Sequence, residues 1–193
     1  LYYRNHYWDH IDLGDDRFLR TPVFHRKLEK YFDDVIPAHP DSIIAEIDQM
    51  VEATGDNAEM RDYLLWYLAN RYETSNIMGY DRIFVHMVDR YFTRQSYDWL
   101  HPEVQSNMID HVDKLRKVLI GEFAPTLLMA DTSNNFINLY QVDAEFTVVI
   151  FWSGSCGECQ RELKALNELY RSGDYDMGIY SVNTDTSFNK WKE

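Results

Sequence analysis

The sequence has few cysteines, few basic residues relative to acidic ones, and no long apolar run. Two cysteines among 193 residues exclude a scaffold stapled by several disulfides. The 32 acidic residues outnumber 19 lysines and arginines, and the net charge of −13 argues against nucleic-acid binding, which needs a basic face. No apolar run is long enough to span a membrane. Phosphate-binding loops, nucleophile elbows and nucleotide fingerprints are also missing.

The remaining composition is that of a folded chain. Hydrophobic residues make up 45% and aromatic residues 15%, enough for a core in one large or two small domains. Residues 1–120 carry 21 acids against 14 lysines and arginines, and residues 121–193 carry 11 against 5. Because both parts are acidic, we interpret the excess as a solvated surface. The sequence begins at Leu1 without an initiator methionine or signal peptide, so we expect it to come from a longer precursor.

Residues 1–120 show apolar positions at helical spacing. The aromatic-rich residues 1–20 predict a short helix that ends near Gly14. Five further stripes with a period of 3.6 follow, separated by short polar links that contain proline or glycine. The residues expected at helix starts are Thr21 with Pro22, Asp41, Asn57 and Pro102. This pattern predicts an all-helical domain over residues 1–120.

The period changes near Gly121. Two short apolar segments, 126–130 and 136–140, flank turn residues and predict a hairpin. Phe146 to Trp152 is a near-continuous apolar run, as expected of a central strand buried on both faces.

A helix and a second strand are predicted to follow this central strand. The helix is expected over residues 158–171, ended by Gly173, and the buried strand over residues 177–182, parallel to the first. The helix residues expected to point inward are Leu163, Leu166, Leu169 and Tyr170. The predicted fold class is therefore α + α/β, with a β-α-β domain over residues 121–193. So thin a sheet leaves apolar surface uncovered, so we expect this domain to be incomplete at its C-terminus.

Both cysteines lie where the apolar strand meets the helix, in the segment Cys156-Gly157-Glu158-Cys159. Unpaired amides at a helix N-terminus favour a thiolate, and in such motifs the pKa of the first cysteine falls from about 8.5 to roughly 3.5–7.5. Cys156 is therefore the predicted nucleophile and the more exposed sulfur. Cys159, deeper in the helix, is predicted to resolve a mixed disulfide formed at Cys156.

Neighbouring residues are expected to tune this pair. Gly157 adds no bulk, and the charge of Glu158 should raise the pKa of the thiolate and make the pair more reducing. Glu162 follows Cys159 by three residues, on the same helical face, and can hold or relay the proton that Cys159 loses. A solvated carboxylate without a role is the alternative for Glu162.

Three other interpretations of the cysteine pair are weaker. Half of a zinc site would need further ligands, and neither a second such motif nor a nearby histidine supplies them. A structural disulfide across so short a loop restrains little chain entropy. Two coincidental core thiols form the third alternative. Redox chemistry is favoured because the strand, turn, cysteine pair and helix occur together.

His6 and His10 are spaced four residues apart, as two metal ligands on a helix can be. The sequence indicates no third ligand for them, so no metal site is predicted.

The segment Phe151-Trp152-x3-Cys156-x2-Cys159-x2-Glu162 resembles the active-site segment of thioredoxin-fold proteins, particularly the extracytoplasmic TlpA-like thiol–disulfide reductases. Those domains also open with a G-x-x-A-P segment, here residues 121–125, followed by a hairpin. The resemblance implies that Glu162 serves the proton chemistry of Cys159, that Trp152 supports the site, and that the redox-active disulfide is the only cofactor. It also implies protein disulfides as substrates and an upstream dithiol as electron donor.

The sequence departs from this pattern at several positions. Ser155 stands where thioredoxin has tryptophan, Ile150 where it has a buried aspartate, and Leu163 where a proline commonly follows the glutamate. The family's cis-proline would lie beyond Glu193, so the catalytic competence of residues 1–193 alone is an open question.

Residues 1–120 resemble the aromatic-rich N-terminal domains of thioredoxin-like proteins from Bacteroides-type bacteria. Those proteins are typically exported, often as lipoproteins, and their helical domain has no settled activity. The resemblance implies a location in the periplasm or at the outer membrane, with any lipid anchor outside these residues. It leaves the substrate and the oligomeric state open.

Two other functions remain as alternatives to a thiol–disulfide oxidoreductase. A thiol peroxidase of the same fold would have proline and threonine where this sequence has Val149 and Ser153. A non-enzymatic binding module would use the acidic helical domain to recruit a partner, with the cysteine pair either vestigial or acting as a redox switch.

Overall fold

The computed structural model describes residues 2–185 and divides the chain into two compact units, Leu1–Ala124 and Pro125–Glu193. Residues 186–193, which belong to the predicted second domain, lie outside the described residues. The first unit is helical and the second contains a β-α-β unit, so the predicted α + α/β fold class is confirmed. None of the helices within residues 2–185 is long and apolar enough to cross a bilayer.

The described part of the first unit, residues 2–124, contains six α-helices. Two of them, Pro22–Lys30 and Asp81–Met87, continue directly into a π-helical turn, Tyr31–Val35 and Val88–Phe92 respectively. Short 3-10 turns occupy Asp16–Arg20 and Arg116–Val118. The α-helices are α1 Tyr2–Asn5, α2 Pro22–Lys30, α3 Pro40–Ala53, α4 Ala58–Glu73, α5 Asp81–Met87 and α6 Pro102–Leu115.

Three of these helices begin at residues suited to cap them. Asn57 caps α4 as predicted, because its side-chain oxygen accepts the backbone N–H of Met60 at 3.0 Å. The predicted cap of α3 at Asp41 is wrong by two residues, because His39 is the N-cap. Pro40 takes the first helical position, where no N–H is needed, and the ring of His39 accepts the N–H of Asp41. The helix that begins at Pro102 uses the same arrangement.

One apolar cluster forms the core of the first unit. Helix α4 lies deep within it, and Leu64, Leu65 and Leu68 are completely buried. Helix α5 contributes residues on nearly all of its sides, which explains why so short a helix is stable in this setting. The buried residues from α5 and its π-helical turn are Ile83, Phe84, Val85, Met87, Val88 and Phe92.

A buried carboxylate joins α1 to α3 within this core. Glu46 is only 8% exposed, and it forms an ion pair with Arg4 and accepts the hydroxyl hydrogen of Tyr31 at 2.7 Å. Burial, followed by the hydrogen bond to Glu46, raises the pKa of Tyr31 to about 12. One carboxylate oxygen therefore accepts from the charged guanidinium of Arg4 and the other from the neutral hydroxyl of Tyr31, so both oxygens of the buried charge have donors.

Within its described residues, 125–185, the second unit contains two small sheets and one α-helix. Strands β1 (Leu128–Ala130) and β2 (Phe136–Asn138) form the predicted antiparallel hairpin, with Met129 opposite Ile137. Strands β3 (Phe146–Trp152) and β4 (Met177–Asn183) are parallel, as predicted, with Val149 opposite Tyr180. The hydroxyl of Tyr180 donates to the carbonyl of Ile137 at 2.9 Å and so links the two sheets. The elements are β1 Leu128–Ala130, β2 Phe136–Asn138, a 3-10 turn Leu139–Gln141, β3 Phe146–Trp152, α7 Gly157–Ser172 and β4 Met177–Asn183.

The prediction that β3 is buried on both faces is wrong for the described residues. Phe146 and Phe151 are 52% and 59% exposed, since β4 is the only strand paired with β3 within residues 2–185. The predicted inward positions of Leu169 and Tyr170 are also wrong, because both side chains are exposed. An apolar run shows that a strand can be buried. Whether it is buried depends on strands and helices that are distant in sequence.

Candidate redox site

Cys156 and Cys159 form a disulfide at the start of α7. Cys156 is the N-cap residue, and its sulfur accepts the backbone N–H of Cys159 at 3.1 Å. The sulfur thus takes the place of the oxygen that normally caps a helix. After reduction, the same N–H and the helix dipole favour a thiolate at Cys156. Both cysteines are half-buried, so residue burial does not separate an exposed attacking sulfur from a deeper resolving one.

The residues between and after the cysteines lie at the surface of α7. Gly157 is its first residue, and a Cβ there would meet no atom within 4 Å. Glu158 forms an exposed ion pair with Arg161, one turn further along the helix. The guanidinium partly offsets the negative charge of Glu158, so its predicted effect on the Cys156 thiolate should be small. Glu162 is exposed, and the structure gives it no hydrogen bond or ion pair within residues 2–185.

Trp152 anchors the end of β3 beside the cysteine pair. Its indole N–H donates to the hydroxyl of Ser181 on β4 at 2.7 Å, and its carbonyl accepts the backbone N–H of Thr184 at 2.8 Å. These bonds connect the last residues of β3 with those of β4. They join Trp152 to β4 and not to a cysteine sulfur, so its supporting role at the site stays a prediction.

Asp185 belongs to the site, although the sequence analysis did not identify it. One carboxylate oxygen accepts the backbone N–H of Gly154 at 2.7 Å, and the other accepts the hydroxyl hydrogen of Ser153 at 3.0 Å. The carbonyl of Ser153 in turn accepts the N–H of Cys156 at 3.1 Å. Asp185 thus holds the turn that delivers Cys156 to the helix. The sequence feature that could have identified Asp185 is its position just after β4. Parallel strands end at the same edge of a sheet, so residues that follow β3 and β4 lie close together.

Replacing Asp185 with alanine is expected to slow the reaction of reduced Cys156 with iodoacetamide roughly tenfold. The turn would lose two bonds to a charged acceptor, each of about 1.5–3 kcal/mol when present. Asp185→Asn should retain much of the rate, because an amide oxygen can still accept the N–H of Gly154. The measurement is the alkylation rate at several pH values, with a glutathione redox titration alongside. Asp174→Ala, an exposed position after α7, is the charge-matched control; equal rates in all variants would show that Asp185 does not position the turn.

Comparisons with known proteins bear on each part of the chain. A family model described as "Domain of unknown function (DUF5106)" matches residues 1–119, and one described as "AhpC/TSA family" matches residues 120–193. A crystal structure of a thioredoxin-like protein from Bacteroides caccae is similar, with a TM-score of 0.70 and 16% sequence identity. The alignment covers 98% of this chain and 69% of that one. No curated protein matched. These findings confirm the predicted thioredoxin-like fold and its N-terminal helical domain.

Proposed function

We propose that this chain, which belongs to the DUF5106 family and carries a thioredoxin-like second part, is a thiol–disulfide oxidoreductase. The observation that supports this proposal best is the N-cap position of Cys156, whose sulfur accepts the N–H of its partner cysteine. That arrangement stabilises a thiolate at a half-buried position beside the second thiol needed to complete the exchange.

The proposed reaction is reduction of a disulfide in a protein substrate. The Cys156 thiolate attacks one substrate sulfur, a mixed disulfide forms, and the other substrate sulfur leaves as a thiolate. Cys159 then loses its proton and attacks the Cys156 sulfur, which re-forms the Cys156–Cys159 disulfide and releases the second substrate thiolate. Both substrate thiolates take up protons. Two electrons have passed from the dithiol to the substrate, and an upstream dithiol donor must restore them.

The finer assignments follow the TlpA-like resemblance. Glu162 is proposed to accept the proton of Cys159, and its exposed position on α7 leaves it free to exchange that proton with water. Trp152 is proposed to support the turn, and Gly157 to adjust the reduction potential, with a small contribution from Glu158 because Arg161 offsets its charge. The proposed location is extracytoplasmic, where substrate proteins carry disulfides.

Peroxide reduction is a second candidate because the AhpC/TSA family model matches residues 120–193. In that reaction the Cys156 thiolate would cleave the O–O bond and become a sulfenic acid, and Cys159 would condense with it to a disulfide and water. The hydroxyl of Ser153, at the position that threonine takes in such peroxidases, donates to Asp185 and forms a hydrogen bond with Ser155. That arrangement favours a structural role for Ser153, so we rank this candidate second. A binding module with a redox-switch cysteine pair ranks third.

One experiment compares two substrates on the same reduced protein. We expect the full protein to accelerate dithiothreitol-dependent insulin reduction and to leave hydrogen peroxide consumption at the uncatalysed rate. The measurements are insulin turbidity and residual peroxide, with the dithiol concentration held constant. Peroxide consumption that saturates with enzyme while insulin reduction stays at background would reverse the ranking. Failure of both reactions, with a cysteine pair that stays inert across a redox titration, would support a binding module in which the pair is vestigial.

A further inference from the structure

The helical unit contains a groove of about 370 Å³ that the redox chemistry does not use. It is lined by residues of α4, α6 and the segment that leads into α6. We propose that this groove binds the side chain of arginine or lysine from a basic segment of a partner polypeptide. The residues that carry the argument are Trp66, Trp99, Glu73, Asn70, Asn107 and His111.

Two indoles are exposed at this groove. Trp66 is 53% exposed and has no aromatic ring stacked on it within the described residues, whereas Trp99, at 37% exposure, packs against Tyr97 at 5.2 Å. Large exposed aromatic side chains that line a concave surface are characteristic of binding sites. The indole face is also the best aromatic surface for a cation, which is attracted by the ring quadrupole.

The charge of the groove favours a cationic ligand. Among the described residues, its lining contains one carboxylate, that of Glu73, and no lysine or arginine. The ring of His111 lies 3.4 Å from this carboxylate, so Glu73 is oriented without a permanently charged partner. The chain as a whole carries a net charge of −13. An anionic ligand would meet this field unfavourably, whereas a cation is attracted to it and can pair with Glu73.

The floor of the groove fits the alkyl part of a basic side chain. Leu100, Val104 and Met108 provide apolar surface beside the indoles. Arginine and lysine side chains carry a long aliphatic stem that packs on such surface and a charged head that stays hydrated or paired. The amides of Asn70 and Asn107 provide oxygens that can accept further N–H groups of a guanidinium. A bare metal ion would leave this apolar floor uncovered.

Binding can be measured with a short peptide, acetyl-Gly-Arg-Gly-amide, by tryptophan fluorescence and calorimetry on the full protein. We expect saturable binding that weakens about tenfold in Glu73→Gln and about tenfold in Trp66→Leu. Both side chains are exposed, so circular dichroism should show an unchanged fold. Glu52→Gln removes the same charge from an exposed position on α3 and should bind the peptide like the unmodified protein.

Neutral peptides make the test specific. The same peptide with citrulline or leucine in place of arginine should bind at least tenfold more weakly. Equal binding of the citrulline or leucine peptide would overturn the proposal, because the cation would then contribute nothing. An equal loss of affinity in Glu52→Gln and Glu73→Gln would also overturn it, since overall charge rather than the groove would then be responsible. Neither result depends on the redox activity of the cysteine pair.

Discussion

Replacing Cys156 with serine is expected to lower kcat/KM for disulfide reduction by about 10³-fold or more. Replacing Cys159 with serine should instead stop the reaction at the mixed disulfide. A serine hydroxyl at the N-cap can still accept the N–H that now reaches the Cys156 sulfur, so α7 should stay capped. The hydroxyl does not ionise near neutral pH, however, and cannot begin the exchange. The loss of activity in Cys156→Ser would therefore be chemical rather than structural.

Cys159→Ser separates the two steps of the exchange. The Cys156 thiolate would still attack the substrate, but no second thiol would be available to release it, so a mixed disulfide should accumulate. Mass spectrometry of the unreduced protein after mixing with insulin should show an adduct on Cys156. The variant lacking both cysteines is the control and should form none. An adduct on Cys159 in Cys156→Ser, formed at the same rate, would mean that the two cysteines exchange roles.

The position of the cysteine pair could be predicted because its determinants are local. A strand-forming run, a short link and a helix pattern lie within about 25 consecutive residues, and together they specify a cysteine at a helix N-terminus. Asp185 could not be found in the same way. It is 31 residues from Gly154, and only the parallel pairing of β3 with β4 brings them together.

The same distinction applies to the helical unit. The helices could be predicted from apolar spacing, and the cap at Asn57 from its residue type. The ion pair of Glu46 with Arg4, 42 residues away, depends on how α1 packs against α3, and no local pattern indicates it. In a helix stripe Glu46 looks like any solvated carboxylate, yet it is one of the few polar side chains in the described core.

Replacing Glu46 with alanine is expected to lower the free energy of unfolding of the helical unit by about 3 kcal/mol. Breaking a buried ion pair from one side costs about 3–5 kcal/mol because the remaining charge is left without compensation, and partly exposed Arg4 places the effect at the lower end. Chemical denaturation followed by helical circular dichroism measures this change. Glu52→Ala, an exposed position on the same helix, is the matched control and should change stability by less than about 0.5 kcal/mol.

The hydroxyl of Tyr31 gives this prediction a second readout. The Glu46 carboxylate helps to raise the pKa of Tyr31 to about 12, so Glu46→Gln should let Tyr31 ionise at lower pH, which phenolate absorbance detects. Because the folded-state pKa is above the ordinary value near 10, the proton on Tyr31 stabilises the fold below pH 10, and this contribution is lost as pH rises through 12. Tyr31→Phe should flatten that part of the stability curve. A Glu46→Gln protein with unchanged tyrosine titration and stability would show that the carboxylate does not act on Tyr31.

Loss of the Glu46 side chain is expected to destabilise helix α1 more than the other helices. With only four residues, Tyr2–Asn5, it is too short to persist by itself, and the ion pair of Arg4 with Glu46 fastens it to α3. In Glu46→Ala, amide hydrogen exchange in residues 2–8 should therefore increase well before exchange in α4, whose leucines are completely buried. Equal protection of α1 from hydrogen exchange in the unmodified protein and in Glu46→Ala would mean that the contact of Tyr7 with Tyr31 is enough to hold this helix.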